Sequence, residues 1–226
     1  MSDEHQISLF DYSGPIQKEL IPTSFKIPIP QGTYESLAEL KQDCQQCHRC
    51  ELGNTRRNVV VSRGNPQAMI MVIGEAPGQY EDETGIPFVG RAGQLLDKIL
   101  ISVKLDPNTD VYICNVNNCR PPGNRTPTPE EIAACKPYLF EQIRLVNPRI
   151  ILLTGATAVK GIIGDKSRIT KIRGNWIEWQ GHLCMPIFHP SYLLRNPSRE
   201  KGSPKWFMWQ DIQAVRAKLE QICNQN

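Results

Sequence analysis

The sequence predicts an α/β fold in which a central, mostly parallel four-stranded sheet has helices on both sides. Four short apolar runs, at residues 68–74, 111–116, 149–155 and 183–189, are nearly continuous, as is typical of strands covered on both faces. Helical patterns alternate with these runs or follow them, at residues 92–100, 129–146, 155–163 and 205–222. Strands that alternate with helices over this length indicate parallel pairing.

The length of 226 residues and the hydrophobic content of 40% suffice for one globular domain. Residues 1–30 are polar and rich in proline, so they cannot bury a core, and we predict a flexible tail before a domain at residues 31–226. No run approaches the ~20 apolar residues of a membrane-spanning helix, and the N-terminus lacks the pattern of a secretory signal. These features predict a cytoplasmic protein with no membrane partner. The net charge of +3 is only a weak argument for a nucleic-acid partner.

Eight cysteines in a reducing compartment indicate metal ligands or buried thiols rather than disulfides. Cys47 and Cys50 form a C-x-x-C pair that a helical segment delivers, and Cys119 and Cys135 follow far downstream. Four such thiolates suit zinc or an iron–sulfur cluster, and their spacing does not separate the two. Because Cys44 precedes Cys47 by three residues, either adjacent pair could supply the ligands. The other cysteines are predicted to be small buried apolar residues: Cys114, Cys184 and Cys223.

Unusual residues follow the predicted strands at their carboxyl ends, where parallel sheets bind ligands. The loops concerned begin at Gly74, Asn115, Gly155 and His189. Asn115 carries an amide with both a donor and an acceptor, which suits the edge of a pyrimidine. An equally good interpretation is that Asn115 only caps the turn.

The first of these loops, residues 74–93, is rich in glycine but lacks the Lys-Ser or Lys-Thr pair of a phosphate-binding loop. This argues against the binding of a nucleoside triphosphate. Two carboxylates, on Glu75 and Glu81, could orient a water or stabilise a cationic sugar, and the ring of Phe88 could stack on a base. The alternative is a solvated acidic turn.

His189 directly follows the last predicted strand, at the same end of the sheet as Glu75 and Asn115. A single histidine is more often structural, but here apolar and basic residues follow it. That combination is typical of a wedge that enters DNA between phosphate contacts. The wedge and its basic surroundings comprise Tyr192, Leu193, Leu194, Arg195, Arg199 and Lys205. Trp206 and Trp209 either extend this surface or belong to the core.

Together these segments resemble the family 4 uracil-DNA glycosylases, the iron–sulfur branch of the uracil-DNA glycosylase superfamily, from about Cys47 to Ile222. The segments that carry the resemblance are CHRCELG from Cys47, GEAPG from Gly74, PFVG from Pro87, Asn115 with CRPP from Cys119, then Cys135, and HPSYLLRNP from His189. The resemblance implies a three-layer αβα sandwich. It also implies a [4Fe–4S] cluster on Cys47, Cys50, Cys119 and Cys135, which leaves Cys44 as an extra thiol.

The activity that the resemblance implies is hydrolysis of the N-glycosidic bond of flipped-out deoxyuridine, in single- or double-stranded DNA, by a monomeric enzyme. A related branch traps its product covalently through a histidine in a basic loop after the second strand. The segment RPPGNRTP directly after Cys119 has neither such a loop nor a histidine, so water is the expected nucleophile.

The resemblance also assigns roles within the site. Phe88 would stack on uracil, Ala76 would contact it, and Asn115 would read its edge. His189 would hydrogen-bond O2 of the base as negative charge develops there. Glu75 would support the water or the sugar cation, and Glu81 would lie near C5. The vacated stack would be filled or flanked by Leu193, Leu194 and Arg195.

The N-terminal pentapeptide QISLF, from Gln6 to Phe10, resembles the peptide with which bacterial repair and replication proteins dock onto the sliding clamp. Leu9 and Phe10 would be its anchors. Five residues can also match by chance. Two broader alternatives remain open: a nucleic-acid-binding module without catalytic activity, and a glycosylase that holds zinc in place of the cluster.

Overall fold

A computed structural model of the chain describes residues 28–225, so the predicted clamp peptide lies outside the described residues. Its sheet contains six strands in the order β1-β3-β2-β4-β6-β5. The strands are β1 (Ser62–Gly64), β2 (Ile70–Gly74), β3 (Val111–Asn115), β4 (Ile150–Thr154), β5 (Ile177–Trp179) and β6 (His182–Ile187).

The four predicted strands form the centre of this sheet. β2 pairs in parallel with β3 on one side and with β4 on the other, and β4 pairs in parallel with β6. The short strands β1 and β5 add an antiparallel strand at each edge, against β3 and β6 respectively. The predicted α/β class is confirmed. The two edge strands were not predicted, because three residues are too few to show an apolar run or an alternation.

Helices cover both faces of the sheet. They are α1 (Leu37–Gln45), α2 (Leu52–Thr55), α3 (Gln79–Thr84), α4 (Arg91–Ser102), α5 (Pro129–Val146), α6 (Ala156–Ile162), α7 (Ile169–Ile172), α8 (Pro190–Arg195) and α9 (Pro204–Cys223). The predicted helices correspond to α4, α5, α6 and α9, and the helical segment predicted before the C-x-x-C pair corresponds to α1. The short helices α2, α3, α7 and α8 were missed, and α8 lies within the loop that begins at His189. None of the helices in residues 28–225 has the length and apolar character needed to span a membrane.

Alternate side chains of β2 enter two separate cores, one on each face of the sheet. Ile70 and Val72 pack with residues of α4 and α9, whereas Met71 and Ile73 pack with residues of α5 and α6. This alternation is the period of two that a strand imposes on its side chains. Both faces are therefore covered, which produces three layers.

A third, smaller cluster connects the thiol-bearing N-terminal segment to α5. Tyr34, Leu40 and Cys44 pack with Tyr138 of α5, and the carboxylate of Glu141 accepts backbone N–H groups from residues 32 and 34. Ile29, which composition placed in the tail, also packs against this cluster. The domain therefore begins at or before residue 29.

The cysteines without a predicted chemical role differ in burial. Cys114 and Cys184 are buried in β3 and β6, as predicted. Cys223 is exposed at the end of α9, so the prediction that it is buried was wrong. Cys223 lies on the last turn of α9, where Ile222 packs against the core and the Cys223 side chain faces outward.

Candidate active site

A cavity of about 300 Å³ opens at the carboxyl ends of the central strands. Its volume lies at the lower end of the range of small-molecule sites. The structure brings six of the predicted site residues to its wall: Glu75, Ala76, Glu81, Phe88, Asn115 and His189. Sequence reasoning missed other lining residues, among them Pro121, Asn124, Arg125 and Ser191.

Phe88 reaches the cavity in an uncommon backbone conformation. Its φ is 56°, in the left-handed region, and only 6% of its surface is exposed. A non-glycine residue held there costs on the order of 1–3 kcal/mol. Arg63 supports this conformation, since its guanidinium donates to the carbonyls of Pro87 at 2.9 Å and Phe88 at 3.4 Å and pairs with Asp97. The Phe88 ring is therefore placed by contacts outside its own loop.

Gly74 allows Phe88 and Asn115 to meet. A Cβ on Gly74 would lie 2.3 Å from Oδ1 of Asn115 and 2.5 Å from Cζ of Phe88, distances that real Cβ atoms do not show. Gly74 and Asn115 are also paired residues of β2 and β3. The glycine at the strand end thus leaves the space in which an aromatic ring and an amide lie side by side.

The asparagines after β3 differ in what their amides do. Asn117 donates its side-chain amide to the carbonyl of Glu131 at 2.9 Å, and Asn118 donates its own to Sγ of Cys44 at 3.5 Å. Both amides serve the local structure. The amide of Asn115 instead lines the cavity, although the residue as a whole is only 2% exposed. This placement favours the ligand-reading interpretation of Asn115 over the turn-capping one.

His189 is held as a neutral ring with a defined tautomer. Its Nδ1 accepts the backbone N–H of Ser191 at 3.2 Å and lies 2.8 Å from the Ser191 hydroxyl. The pKa of His189 is lowered to about 4, mainly by burial and also by the charge of Arg195, while the charge of Glu81 opposes the shift. Since Nδ1 is an acceptor, the single proton of the neutral ring is on Nε2. The Phe88 and His189 ring centroids are 6.0 Å apart.

The two predicted catalytic carboxylates lie in different environments. Glu75 is half-buried at the end of β2 and accepts a hydrogen bond from the hydroxyl of Thr157 in α6, a residue that sequence reasoning missed. That contact uses one of its oxygens and orients the carboxylate. Glu75 is therefore the carboxylate that remains able to act on a bound water.

Glu81 is occupied by its own loop. One carboxylate oxygen accepts the backbone N–H of Gly78 at 3.1 Å, and the other accepts those of Val89 at 3.0 Å and Gly90 at 2.8 Å. A carboxylate with three backbone donors is a poor candidate for proton transfer. Glu81 is a positioning residue for the loop that carries Phe88, which departs from the predicted catalytic role.

The chain is similar in sequence to known proteins along most of its length. Residues 61–213 match the family model described as the uracil DNA glycosylase superfamily. The chain belongs to this superfamily. It is 52% identical to a type-4 uracil-DNA glycosylase of Thermotoga maritima, over 74% of this chain and 88% of the relative. It is 41% identical to a type-4 uracil-DNA glycosylase of Sulfurisphaera tokodaii, over 74% of this chain and 80% of the relative. The predicted family is confirmed.

The chain is also similar, at lower identity, to a relative of another type. A type-5 uracil-DNA glycosylase of Pyrobaculum aerophilum is 29% identical over 77% of this chain and 89% of its own length. The matched family segment, residues 61–213, includes the first three strand-end loops and the His189 loop. The superfamily match therefore covers the whole cavity wall.

The predicted DNA wedge of this superfamily member is only partly at the surface. Leu193 is 1% exposed and packs in the core with Phe188 and Met208, so, contrary to the prediction, its side chain does not project outward as part of a wedge that fills the DNA stack. Leu194 is 37% exposed. Its neighbours on this side range from half-buried to exposed: Tyr192, Arg195, Arg199 and Lys205. The apolar tip that can reach a base stack is therefore Leu194.

The four predicted ligand cysteines lie in three segments: Cys47 and Cys50 between α1 and α2, Cys119 after β3, and Cys135 in α5. Burial raises the pKa of Cys119 to about 11, and Arg56 opposes this because its charge and its hydrogen bond favour the thiolate. The charges of Cys47 and Cys50 act in the opposite direction to Arg56 and raise the pKa of Cys119. Among residues 28–225, no group of three or more His, Cys, Asp or Glu side chains has the arrangement of a metal site.

Hydrogen-bond donors point at these sulfurs. Arg56 donates to Sγ of Cys119 at 3.3 Å and to the carbonyl of Cys47 at 2.7 Å. The backbone N–H of Asn118 donates to Sγ of Cys135 at 3.5 Å. Such donors are typical partners of metal-bound thiolates, whose charge they partly neutralise. Cys44 is also buried here and feels the charges of Cys47 and Cys119 in addition to its burial, which raises its pKa.

An ion pair connects the thiol segments to the cavity. Arg125, on the cavity wall, binds both oxygens of Glu131 at 2.8 and 2.7 Å. Glu131 lies in the first turn of α5, one turn before Cys135. The fork geometry of this pair fixes Arg125 relative to the helix. Both the cavity and the thiol region therefore depend on the start of α5.

Proposed function

We propose that this protein excises uracil from DNA, hydrolysing the N-glycosidic bond of a flipped-out deoxyuridine and leaving an abasic site for base-excision repair. The observation that carries the proposal is the group of Phe88, Asn115 and His189 around one cavity at the strand ends. These residues supply a stacking face, a pyrimidine-reading amide and a neutral donor. A protein that only binds DNA has no use for this arrangement.

The leaving base is stabilised by His189. When the bond between C1′ and N1 breaks, its electron pair stays on uracil and negative charge spreads to O2. The Nε2–H of neutral His189 donates to that oxygen, and the interaction strengthens as the charge grows. Because the low pKa keeps the ring neutral near pH 7, no proton has to leave His189 before the reaction. A preorganised donor of this kind contributes about 10²–10³-fold to the rate.

The sugar is attacked by water. The carboxylate of Glu75, oriented by Thr157, stabilises the positive charge that develops at C1′ and orients the water that adds there. The Glu75 carboxylate accepts the proton that the water loses as its oxygen bonds to C1′, and the departing uracil anion takes up one proton from solvent. The products are therefore free uracil and an abasic deoxyribose. No covalent bond to the protein is needed.

Base selection rests on Asn115. Its carboxamide can donate to O4 and accept from N3–H of uracil, whereas cytosine presents the opposite pattern at these positions. A buried amide left without partners costs free energy, so the wrong pyrimidine is rejected. Extrusion of the base costs a few kcal/mol, and we assign to Leu194 the filling of the gap in the stack.

The direct test uses a labelled oligonucleotide with one uracil, which is incubated with the protein and then treated with alkali. We expect strand breakage at the uracil, and a large loss of it in Asn115→Ala and His189→Ala at unchanged Tm. Lys166→Gln is a control, because that lysine is exposed beyond α6, far along the chain from the cavity loops. An intact strand with the wild-type protein would refute the activity.

We further propose that Cys47, Cys50, Cys119 and Cys135 hold a [4Fe–4S] cluster, which would supply structural cross-linking of three distant segments. The hydrogen-bond donors support this, since Arg56 donates to Sγ of Cys119 and the backbone N–H of Asn118 donates to Sγ of Cys135. Anaerobically purified protein should show the visible absorbance of an iron–sulfur chromophore and four iron atoms per chain. Colourless protein with stoichiometric zinc would overturn the cluster assignment and leave the glycosylase activity standing.

The N-terminal peptide from Gln6 to Phe10 would dock this enzyme on a bacterial sliding clamp, with Leu9 and Phe10 in an apolar groove. Only the sequence supports this proposal. A pulldown with purified clamp should retain the wild type and lose the double variant Leu9→Ala and Phe10→Ala. Equal retention of both would refute the peptide's role. We expect a monomer that acts in the cytoplasm, where thiolates stay reduced.

A further inference from the structure

A second concavity lies beside the uracil cavity, between α4 and α9. Its volume is about 420 Å³, and its walls are mainly apolar. Leu95 and Ile99 of α4 form one wall, and Trp206 and Trp209 of α9 form the other. Trp209 is 43% exposed, which is unusual for the largest apolar side chain. We name this concavity the α4–α9 groove.

The α4–α9 groove continues the uracil cavity along one stripe of α4. Ala92 lines the uracil cavity, and Leu95, Ile99 and Ser102 line the groove. The intervals of three, seven and ten residues from Ala92 keep all four on one face of the helix. At 1.5 Å per residue, the groove extends from roughly 5 to roughly 15 Å beyond Ala92. This distance corresponds to a few nucleotides on one side of a base held in the cavity.

The charges around the α4–α9 groove have one sign. Of the side chains in residues 28–225 that line it, three are cationic, namely Lys98, Arg199 and Lys205, and none is acidic. Lys98 and Arg199 are exposed and Lys205 is half-buried. An apolar floor with aromatic faces and a cationic rim is the arrangement with which proteins bind single-stranded nucleic acid: bases stack on the rings and phosphates meet the cations.

We propose that the α4–α9 groove binds single-stranded DNA adjacent to the flipped uracil, with an unstacked base against Trp209 and its phosphates at Lys98, Arg199 and Lys205. This inference rests on the proposed excision of uracil from DNA and extends it by a second contact on the substrate. Leu193 contributes to the floor of the groove, while Leu194 next to it faces outward. Helix α8 therefore contributes Ser191 to the uracil cavity and Leu193 to the α4–α9 groove, so it lies between the flipped base and the adjacent DNA strand.

The experiment measures binding of the full chain to a single-stranded oligonucleotide that carries one non-hydrolysable 2′-fluoro-deoxyuridine. Bases on either side are replaced one at a time by an abasic spacer. We expect wild-type affinity to fall about tenfold for spacers within a few positions on one side, the effect of losing one stacked base. Trp209→Leu should bind about tenfold more weakly and lose this positional effect, whereas Trp209→Phe should retain it.

The cationic rim is tested by salt dependence. Lys98→Gln should lower the slope of log affinity against log salt by about 0.7, the value for one phosphate contact on a single strand. Lys166→Gln, which changes the same charge away from the groove, should leave the slope as in the wild type.

Three outcomes would overturn the groove proposal: a flat spacer scan, an equal effect of Lys166→Gln, or a concentration-dependent dimer that Trp209→Leu abolishes, which would assign the groove to a second copy of the chain. Release of uracil by the wild-type protein from the hydrolysable oligonucleotide is measured separately. A flat scan with intact uracil release refutes only the groove.

Discussion

The backbone carbonyl of Phe88 lies against Gly93, so closely that a Cβ on Gly93 would come within 1.8 Å of the Phe88 oxygen. Gly93 occupies the first turn of α4, and Phe88 lies just before that helix in the left-handed conformation. The chain can turn this tightly only where a side chain is missing. The position of the Phe88 ring therefore depends on the absence of a side chain at Gly93.

Gly93→Ala should displace Phe88 and reduce kcat/KM about a hundredfold, since small misplacements of a reacting group have effects of that size. The measurement is steady-state cleavage of a uracil oligonucleotide, together with Tm. Gly161→Ala is the matched control, because the atoms nearest to its new Cβ would be side-chain atoms of Val116, from 3.2 Å, and not backbone atoms. Equal losses in the two variants would contradict a specific role for Gly93.

Arg63→Lys should also weaken the placement of Phe88. A lysine cannot reproduce the guanidinium fork that contacts the carbonyls of residues 87 and 88 and pairs with Asp97. We expect kcat to fall about tenfold with little change in KM, because ring placement matters most when the base leaves. Arg57→Lys, at an exposed ion pair with Glu83, is the control. A fall confined to Tm would indicate that Arg63 serves stability alone.

The fall of kcat/KM at the acidic end of its pH profile should reflect protonation of His189. Its pKa is lowered to about 4, so kcat/KM should stay level from neutral pH to about 5 and fall as pH drops through the pKa. Arg195 contributes to lowering this pKa, so Arg195→Gln should move the limb to higher pH. Imidazole NMR titration identifies the group. A limb that moves to lower pH in Arg195→Gln would contradict the assignment.

The same group affects stability. The folded pKa of His189 lies below the ordinary histidine value of 6.5, so the unfolded chain binds more protons between about pH 4 and 6.5. Above that window His189 is neutral in both states and costs no stability. As pH falls through the window, protonation of His189 in the unfolded chain lowers the free energy of unfolding. His189→Gln should show a flatter dependence of Tm on pH in this range than the wild type.

Leu193 and Leu194 should separate stability from DNA handling. Leu193→Ala leaves a cavity in the core and should lower the free energy of unfolding by about 2–5 kcal/mol. Leu194→Ala should leave Tm nearly unchanged and reduce cleavage of double-stranded more than single-stranded substrate, because only a duplex needs the gap in its stack filled. The opposite assignment of effects would show that Leu193 is the wedge.

The sequence predicted the parallel centre of the fold because continuous apolar runs are a strong signal, and it predicted Phe88, Asn115 and His189 because they lie in the loops at strand ends. It could not separate Leu193 from Leu194, since α8 has only six residues and offers no helical period to read. Arg63 was missed for a different reason. It acts from the edge strand β1, twenty-five residues before Phe88, and that strand has no sequence signature.

Glu81 illustrates a further limit of sequence reasoning. A carboxylate near a pocket suggests catalysis. In the structure, however, the Glu81 oxygens accept hydrogen bonds from backbone amides at both ends of one loop. A pattern of residue types carries no information about such partners, because any residue can present a backbone N–H.

The three hydrogen bonds from backbone amides to Glu81 close the loop between Gly78 and Gly90 into rings. A closed ring has far fewer conformations than an open loop of the same length, and most of that entropy is lost once, when the protein folds. Phe88 is carried on this ring. When a base enters the cavity, little further order has to be imposed on the wall that meets it, so more of the binding free energy remains for drawing the nucleotide out of the DNA.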